Sequence, residues 1–191
     1  AMYHTTKTIW QCCAISYNGE YGLVFREDDG IYISSDYLST WTRQYQSGTA
    51  SAYAASASET GQYMVCAISE GAILLSSDYG LNWSVKYNPS PSVNWHGIAI
   101  SSNGSYIVAS GIDDYIYVSE DYGENWVQLT FLGTKAWRKM EMDLNNDTYL
   151  TDYGGKLYKL SKGFKLDVSG NFRLGRYDAS GLGWFKDLSA G

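Results

Sequence analysis

Proline is nearly absent from this 191-residue sequence, which contains two. Charged residues are also few, at 18%, and their balance is acidic, with a formal net charge of −6. Proteins that bind nucleic acid through its phosphates, or membranes through a polybasic patch, carry the opposite charge, so we predict neither partner. No apolar run approaches the length of a membrane-spanning segment, so membrane insertion is not expected either.

Cysteine and histidine are scarce as well, with three and two residues respectively. No Cys-x-x-Cys pair is present, which argues against a zinc site. Cys12 and Cys13 are adjacent, so a strand would point their side chains to opposite faces. Free thiols on buried strands are the simplest interpretation, and a disulfide from Cys12 or Cys13 to Cys66 is left open by the spacing.

Aromatic residues and glycine, in contrast, are abundant. Phe, Trp and Tyr make up 16% of the sequence, and there are 20 glycines. Aromatic residues favour strands and glycine favours tight turns. The composition therefore predicts a soluble all-β domain with many short strands.

Three segments share the pattern Ser-x-Asp-Tyr-x-x-x-Trp, and they read SSDYLSTW, SSDYGLNW and SEDYGENW. Their aspartates, 42 and 43 residues apart, are Asp36, Asp78 and Asp121. Flanking features recur at the same spacing, including a glycine followed two residues later by tyrosine and an alternating apolar stretch before the first serine. A fourth, decayed unit follows, in which Gly163 stands at the aspartate position.

Each unit is predicted to form four strands. In the third unit, alternation and turn residues place these strands at residues 95–100, 106–110, 115–119 and 126–130. Four strands in about 42 residues is the size of one β-propeller blade. The predicted fold is therefore an all-β propeller of about four four-stranded blades, or part of a larger propeller.

This interpretation divides the sequence into a propeller, residues 1–164, and a C-terminal tail or fibre-stem segment, residues 165–191. The four repeats within the propeller cover residues 9–50, 51–92, 93–134 and 135–164.

The repeated motif resembles the Asp box, Ser-x-Asp-x-Gly-x-x-Trp, of sialidase-type (BNR) repeats. These occur in sialidases, sortilin-like receptors, some glucanases and many secreted or viral proteins. The resemblance covers roughly residues 9–168; two boxes are complete, and the first has Leu38 in place of glycine. The box residues are Ser34, Asp36, Trp41, Ser76, Asp78, Gly80, Trp83, Ser119, Asp121, Gly123 and Trp126.

The residue types give the boxes a structural role. The aspartate accepts N–H bonds within its turn, the glycine permits positive φ, and the tryptophan packs beneath the turn. The resemblance implies the same role, away from the substrate face. Leu38 in the first box therefore predicts either a different turn conformation or backbone strain.

The resemblance also suggests that the protein is a sialidase. Sialidase chemistry needs three arginines that bind the substrate carboxylate, a Tyr–Glu nucleophile pair and an acid/base aspartate. The family's Phe/Tyr-Arg-Ile-Pro motif is missing, because the nearest string, Phe25-Arg26-Glu27-Asp28, continues without Ile-Pro. Sialidase propellers also have six blades, and this sequence encodes about four. We assign no catalytic residues, and the balance is against an enzyme.

Two acidic pairs, Asp28-Asp29 and Asp113-Asp114, lie in equivalent turns before the third strand of their units. A glycosidase needs two facing carboxylates about 5–10 Å apart, but solvated turn residues are the simpler interpretation. Clustered carboxylates also suit a hard cation, so calcium is the alternative, and no other cofactor is predicted.

An aromatic residue opens each unit, in the strand that lines the central channel of a propeller. These aromatic residues are Trp10, Tyr53, Trp95 and Trp137, and their polar neighbours include Gln11, His96 and Arg138. Flat aromatic faces pack on sugar rings, and Tyr and Trp add a hydrogen-bond donor. The sequence favours packing between blades as the role of these aromatics, and a ligand-binding rim at one mouth of the channel is the alternative.

The string Leu-Asp-Val-Ser-Gly-Asn, within residues 165–171, resembles one found in phage and giant-virus tail-fibre proteins, where it often leads into trimeric stems. The resemblance implies a viral fibre or surface protein, located extracellularly or on the virion surface, that forms a homotrimer. The alternatives are a loose terminal segment or a strand that closes the fourth blade. Met2–Thr8 is a second candidate for that closing strand.

The sequence thus favours a non-enzymatic binding module whose partner is a glycan or a cell-surface receptor. The alternatives are a fragment of a sialidase-like glycoside hydrolase and a purely structural assembly module. Two carboxylates converging in a pocket would favour hydrolysis, and an aromatic cluster without them would favour binding.

Overall fold

Four antiparallel sheets of four strands each dominate the structure, a computed structural model. It describes residues 9–161, apart from Ser47, Thr49, Glu70, Ser90 and Pro91, and three short strands beyond them. No helix within this described part is long and apolar enough to cross a membrane.

Each of the first three sheets is built from consecutive strands, so one repeat unit folds as one sheet. Sheet 1 contains β1 (Trp10–Ile15), β2 (Gly22–Arg26), β3 (Gly30–Ser34) and β4 (Thr42–Gln46). Sheet 2 contains β5 (Ala52–Ala57), β6 (Met64–Ile68), β7 (Ile73–Ser76) and β8 (Ser84–Tyr87). Sheet 3 contains β9 (Trp95–Ile100), β10 (Ile107–Gly111), β11 (Ile116–Ser119) and β12 (Val127–Gln128).

The prediction of four strands per unit is confirmed for these three sheets. In sheet 3, the predicted bounds of the first three strands agree with the structure to within one residue. The fourth strand is shorter than predicted, because the chain turns into a 3₁₀ segment at Thr130–Leu132.

Sheet 4 takes its last strand from far along the chain. Its first three strands are β13 (Trp137–Met142), β14 (Thr148–Asp152) and β15 (Leu157–Leu160). A separate hairpin of β16 (Phe164–Leu166) and β17 (Phe172–Leu174) follows, and β18 (Phe185–Asp187) then pairs with β15. The C-terminal residues therefore supply the closing strand, and the other candidate, Met2–Thr8, lies outside the described residues.

Neighbouring sheets pack face to face, and alternation along each strand sends residues to two opposite faces. We call the face toward the following sheet the outgoing face, and the face toward the preceding sheet the incoming face. Apolar cores lie between sheets 1 and 2, sheets 2 and 3, and sheets 3 and 4. The outgoing face of sheet 1 contributes Leu23, Phe25, Ile31 and Ile33 to the first of these cores.

The first strands of the sheets lie side by side around a central channel. β5 packs between β1 and β9, and β9 packs between β5 and β13. Among the described strands, no comparable packing joins β13 back to β1. All four first strands nevertheless line one cavity.

Three turns, residues 34–41, 76–83 and 119–126, connect the third and fourth strands of sheets 1 to 3, and we call them box turns. In the second, Asp78 accepts bonds from the Asn82 backbone N–H (2.9 Å), the Asn82 Nδ2 (2.7 Å) and the Ser76 hydroxyl (2.8 Å). Trp83 donates its Nε1–H to the Gly80 carbonyl at 3.0 Å. The third box turn has the same bonds, so side chains close these turns from within.

The first box turn keeps this conformation although leucine replaces glycine. Leu38 has a φ of 65°, and its counterpart Gly80 has a φ of 84°. Positive φ strains a non-glycine residue by about 1–2 kcal/mol. Of the two outcomes that the sequence allowed, strain in an unchanged turn is the one that the structure shows.

Candidate functional site

The strand register changes which residues are equivalent at the channel mouth. In β1, β9 and β13 a tryptophan comes first and a β-bulge follows it. In β5 the first position holds Ala52, opposite Ile68, and the bulge falls on Tyr53. Tyr53 therefore corresponds to Gln11, His96 and Arg138 rather than to the tryptophans. Residue spacing alone does not show where a bulge falls. The spacing in the sequence therefore aligned Tyr53 with the tryptophans, one position away from its true equivalents.

The tryptophans differ in exposure. Trp95 and Trp137 are fully buried, with 0% of their surface exposed, whereas Trp10 is 53% exposed. Trp95 donates its Nε1–H to the carbonyl of Gly71, in the connection between β6 and β7, at 3.0 Å. A buried ring offers no face to a ligand, so burial leaves Trp95 and Trp137 the packing role that the sequence favoured. Of the predicted aromatic rim, Trp10 and Tyr53 keep exposed surface.

The four bulge residues, one from each sheet, are partly exposed, and we call them the mouth ring: Gln11, Tyr53, His96 and Arg138. The Tyr53 and His96 rings stack, with centroids 4.7 Å apart and planes at 29°. The Arg138 guanidinium lies 4.8 Å above the Tyr153 ring. Gln11 accepts a bond from the first backbone N–H of β5 at 2.7 Å. Bulges commonly re-aim side chains near binding sites, and here they do so at the same point of each sheet.

Below the mouth ring lies a channel cavity of about 240 Å³, lined by all four first strands. Lys139 reaches across from sheet 4 and donates to the Tyr53 carbonyl oxygen in sheet 2. Glu141, from the same strand, also lines the cavity. Sequence reasoning missed both residues, although a break in the repeat marks them. The positions equivalent to Lys139 and Glu141 in the other sheets hold small residues: Cys12, Ala54 and Gly97, and Ala14, Ser56 and Ala99.

Burial and nearby charges favour the neutral form of the mouth-ring histidine. Partial burial lowers the pKa of His96 below its ordinary value of 6.5, and the nearby Arg138 and Lys139 lower it further. A neutral imidazole has one donor and one acceptor nitrogen. The mouth ring, with Lys139 beside it, therefore combines a flat stacked surface, a neutral polar ring and two positive charges.

One aspartate of each acidic pair is held in internal contacts, and the other, Asp28 or Asp113, is exposed. Asp29 accepts the Tyr32 hydroxyl at 2.5 Å and pairs with Arg43 at 2.5 Å and Arg26 at 3.0 Å. The Tyr32 bond is the main reason that the pKa of Asp29 is lowered. Asp114 accepts bonds from a tyrosine hydroxyl and a backbone N–H. Within the part of the chain that the structure describes, no three His, Cys, Asp or Glu side chains group as metal ligands.

The box aspartates likewise point their carboxylates into their own turns. Asp36 accepts bonds from the Thr40 hydroxyl (2.6 Å), the Thr40 backbone N–H (2.9 Å) and the Ser34 hydroxyl (2.8 Å). These bonds, the Thr40 hydroxyl first, lower the pKa of Asp36 from 3.8 to about 2. A carboxylate whose acceptor sites are used in this way stabilises its own turn.

The three cysteines are free thiols. Cys66 is fully buried, and its thiol contacts Cys12; this contact and burial raise the pKa of Cys66 well above its usual value. Cys13 is exposed. The structure thus has the free-thiol arrangement rather than the disulfide that the spacing left open.

No family model and no curated protein matches this sequence. Solved structures do match the fold. YCF48 bound to a D1 peptide superposes with a TM-score of 0.62 at 15% identity, over 85% of this chain and 57% of that chain. The GH74 enzyme of Niastella koreensis gives a TM-score of 0.63 at 13% identity, over 86% of this chain and 29% of that chain.

A nidogen/laminin complex gives a TM-score of 0.64 at 10% identity, over 78% of this chain and 58% of that chain. The chain therefore spans less than two thirds of the length of each of these three proteins. Together they show that this chain has a β-propeller fold, and identities this low carry no information about function.

Proposed function

We propose that this chain is a non-enzymatic recognition module whose ligand, a glycan bearing a carboxylate, binds at the mouth ring. The observation that carries the proposal is the stacked Tyr53–His96 pair, partly exposed beside Arg138 and Lys139. This pair and these cations are brought together from three sheets by the bulges, so the site exists only in the folded propeller.

The chemistry of the mouth ring suits an acidic sugar. The apolar face of a pyranose ring packs on a flat aromatic surface such as Tyr53. The guanidinium of Arg138 is able to bind a carboxylate with two parallel hydrogen bonds, and Lys139 adds a second cation. The neutral His96 offers a donor and an acceptor for sugar hydroxyls.

A glycoside hydrolase is the less supported alternative. Hydrolysis needs two carboxylates across the scissile bond. Among the described residues that line the channel cavity, Glu141 is the single carboxylate. The GH74 likeness concerns the fold alone. A peptide is the competing ligand class, because the YCF48 structure contains a bound peptide.

The wider setting follows from the repeats and the tail. The three box motifs support assignment to the Asp-box (BNR) type of propeller, and the string within residues 165–171 supports a viral fibre or surface protein. We therefore place the module outside the cell or on the virion surface, facing a cell-surface receptor. Because β18 pairs with β15 in sheet 4, a stem through which three copies assemble would use the part of residues 165–191 outside that strand.

A glycan array with neutral, carboxylated and sulfated members tests the proposal. We expect the wild-type chain to bind carboxylated members, and Tyr53→Ala and Arg138→Gln to lose at least about tenfold in affinity, typical of central contacts. Tyr17→Ala is the matched control, because Tyr17 is 82% exposed and lies in a cleft lined by the opposite ends of the first strands. Binding that survives both mouth-ring substitutions, or an array without any bound glycan, would contradict the proposal.

A further inference from the structure

Two of the three thiols meet across the core between sheets 1 and 2. Cys12, in β1, is opposite Phe25 in its own sheet and therefore lies on the outgoing face of sheet 1. Cys66, in β6, lies on the incoming face of sheet 2 and is fully buried in the same core. Cys12 packs against that core, and its thiol contacts the Cys66 thiol. The two sulfurs are therefore neighbours although no bond joins them.

The repeat shows that sulfur is particular to this interface. Strand register makes Ala54 and Ala109 the equivalents of Cys12 and Cys66 at the next interface. Both alanines lie in the core between sheets 2 and 3, so methyl groups are sufficient to fill these positions. Packing therefore accounts for two small side chains between sheets 1 and 2, but it does not account for two thiols.

The two thiols differ in their access to small molecules. Cys12 is partly buried and lines the channel cavity of about 240 Å³. Cys66 lies behind it in the core, with none of its surface exposed. Contact with Cys12 and burial raise the pKa of the Cys66 thiol well above its usual value, so this thiol stays protonated. A small oxidant in the cavity therefore reaches Cys12 first, and Cys66 is placed to react second.

We propose that Cys12 and Cys66 form an oxidation site, at which a small hydroperoxide closes a reversible disulfide between sheets 1 and 2. The Cys12 sulfur attacks one oxygen of hydrogen peroxide, the O–O bond breaks, and the departing hydroxide takes the thiol proton as water. Cys12 is then a sulfenic acid. The Cys66 sulfur attacks the Cys12 sulfur, the S–O bond breaks, and the hydroxide takes the Cys66 proton as a second water. The two sulfurs lose two electrons in all, and the peroxide gains both.

The disulfide joins two strands that are far apart in the sequence. The loop that it closes, from Cys12 to Cys66, contains the remaining strands of sheet 1 and the first strand of sheet 2. Closing a long loop stabilises a fold mainly by restricting the unfolded chain. We therefore expect the oxidised chain to melt about 5 °C or more above the reduced chain, and a reductant to reverse the difference.

Mass spectrometry of the reduced chain, treated with a limiting amount of hydrogen peroxide, tests the site. Peptide mapping should find Cys12 linked to Cys66, and alkylation should find Cys13 still a thiol. In Cys66→Ala the reaction should stop at the sulfenic acid of Cys12, which dimedone traps. In Cys12→Ala, Cys66 should remain a thiol. These substitutions copy the residues of the next interface, Ala54 and Ala109, and circular dichroism checks that each variant folds.

Cys13→Ala is the matched control, because Cys13 is exposed and lies on the opposite face of β1 from Cys12. Its equivalent in sheet 2 is Ala55, so alanine is again the residue that the repeat accepts. This variant should form the Cys12–Cys66 disulfide and show the full rise in melting temperature. Disulfides of Cys13 in place of this pair, a Cys66→Ala chain without sulfenic acid on Cys12, or equal melting temperatures of the reduced and oxidised chains would overturn the proposal.

Discussion

The Leu38 side chain fills the space above Gly22: its Cδ2 lies 2.4 Å from the point that a Cβ of Gly22 would occupy. Register makes Gly22 equivalent to Met64 and Ile107, which are both fully buried. Sheet 1 therefore departs from the repeat twice, and the two departures compensate. The side-chain volume that Gly22 lacks in the second strand is filled by Leu38 from the box turn.

This relationship predicts that Gly22→Ala destabilises the chain by about 1–3 kcal/mol, the usual cost of overpacking. The new Cβ would also lie 2.9 Å from the Trp41 ring. Leu38→Gly should recover much of this loss in the double variant, since it removes the clash and the positive-φ strain together. Urea unfolding of both single variants and the double variant measures the coupling; strictly additive effects would contradict the account.

Equivalent tryptophans should differ in their contribution to stability. Trp95→Ala should cost about 3–5 kcal/mol, because a fully buried ring and its bond to the Gly71 carbonyl are lost. Trp10→Ala should cost less than half as much, since Trp10 is half exposed. Thermal or urea unfolding compares the two variants, and equal losses of stability would contradict this prediction.

Acid should weaken the first box turn. The pKa of Asp36 is lowered in the folded state, so its ionised form contributes stability that is present above pH 3.8 and lost as the pH falls toward 2. Asp36→Asn should therefore destabilise the chain at neutral pH and flatten its stability profile over that acidic interval. Unfolding free energies measured from pH 7 down to pH 2 check this, and parallel profiles for the two proteins would argue against it.

The His96 pKa should respond to its neighbours. Removing positive charge with Arg138→Gln or Lys139→Gln should raise the pKa toward 6.5, because both cations disfavour the imidazolium. Because the folded-state pKa is lowered, this histidine also costs stability as the pH falls below 6.5. Proton NMR titration of the imidazole measures the shift, with Lys86→Gln as a control on a lysine that pairs with Glu124. A pKa unmoved by either substitution would count against the assigned electrostatics.

The fold was predictable because its signals are local and repeated. Asp36, Asp78 and Asp121 recur with their turns and alternating strands, and each unit needs only its own residues to form a sheet. The sequence did not decide which segment forms the closing strand of sheet 4. That strand is β18, and its partner β15 lies about 25 residues earlier, with no repeat spacing to connect them.

The position of the candidate site residues was predictable in part. His96 and Arg138 were proposed as neighbours of the aromatics and do lie in the mouth ring, whereas Trp95 and Trp137 are buried by adjacent sheets. Tyr53 was placed out of register because a bulge adds a residue without changing the overall spacing. Burial between sheets and bulge position both depend on tertiary packing, which a single sequence does not display.

The most direct test of the central claim is calorimetric titration of a carboxylated glycan selected on the array into the wild-type chain, Tyr53→Ala and Tyr17→Ala. The account predicts saturable binding to wild type and to Tyr17→Ala, with at least about tenfold weaker binding to Tyr53→Ala. Equal affinities for wild type and Tyr53→Ala would contradict recognition at the mouth ring.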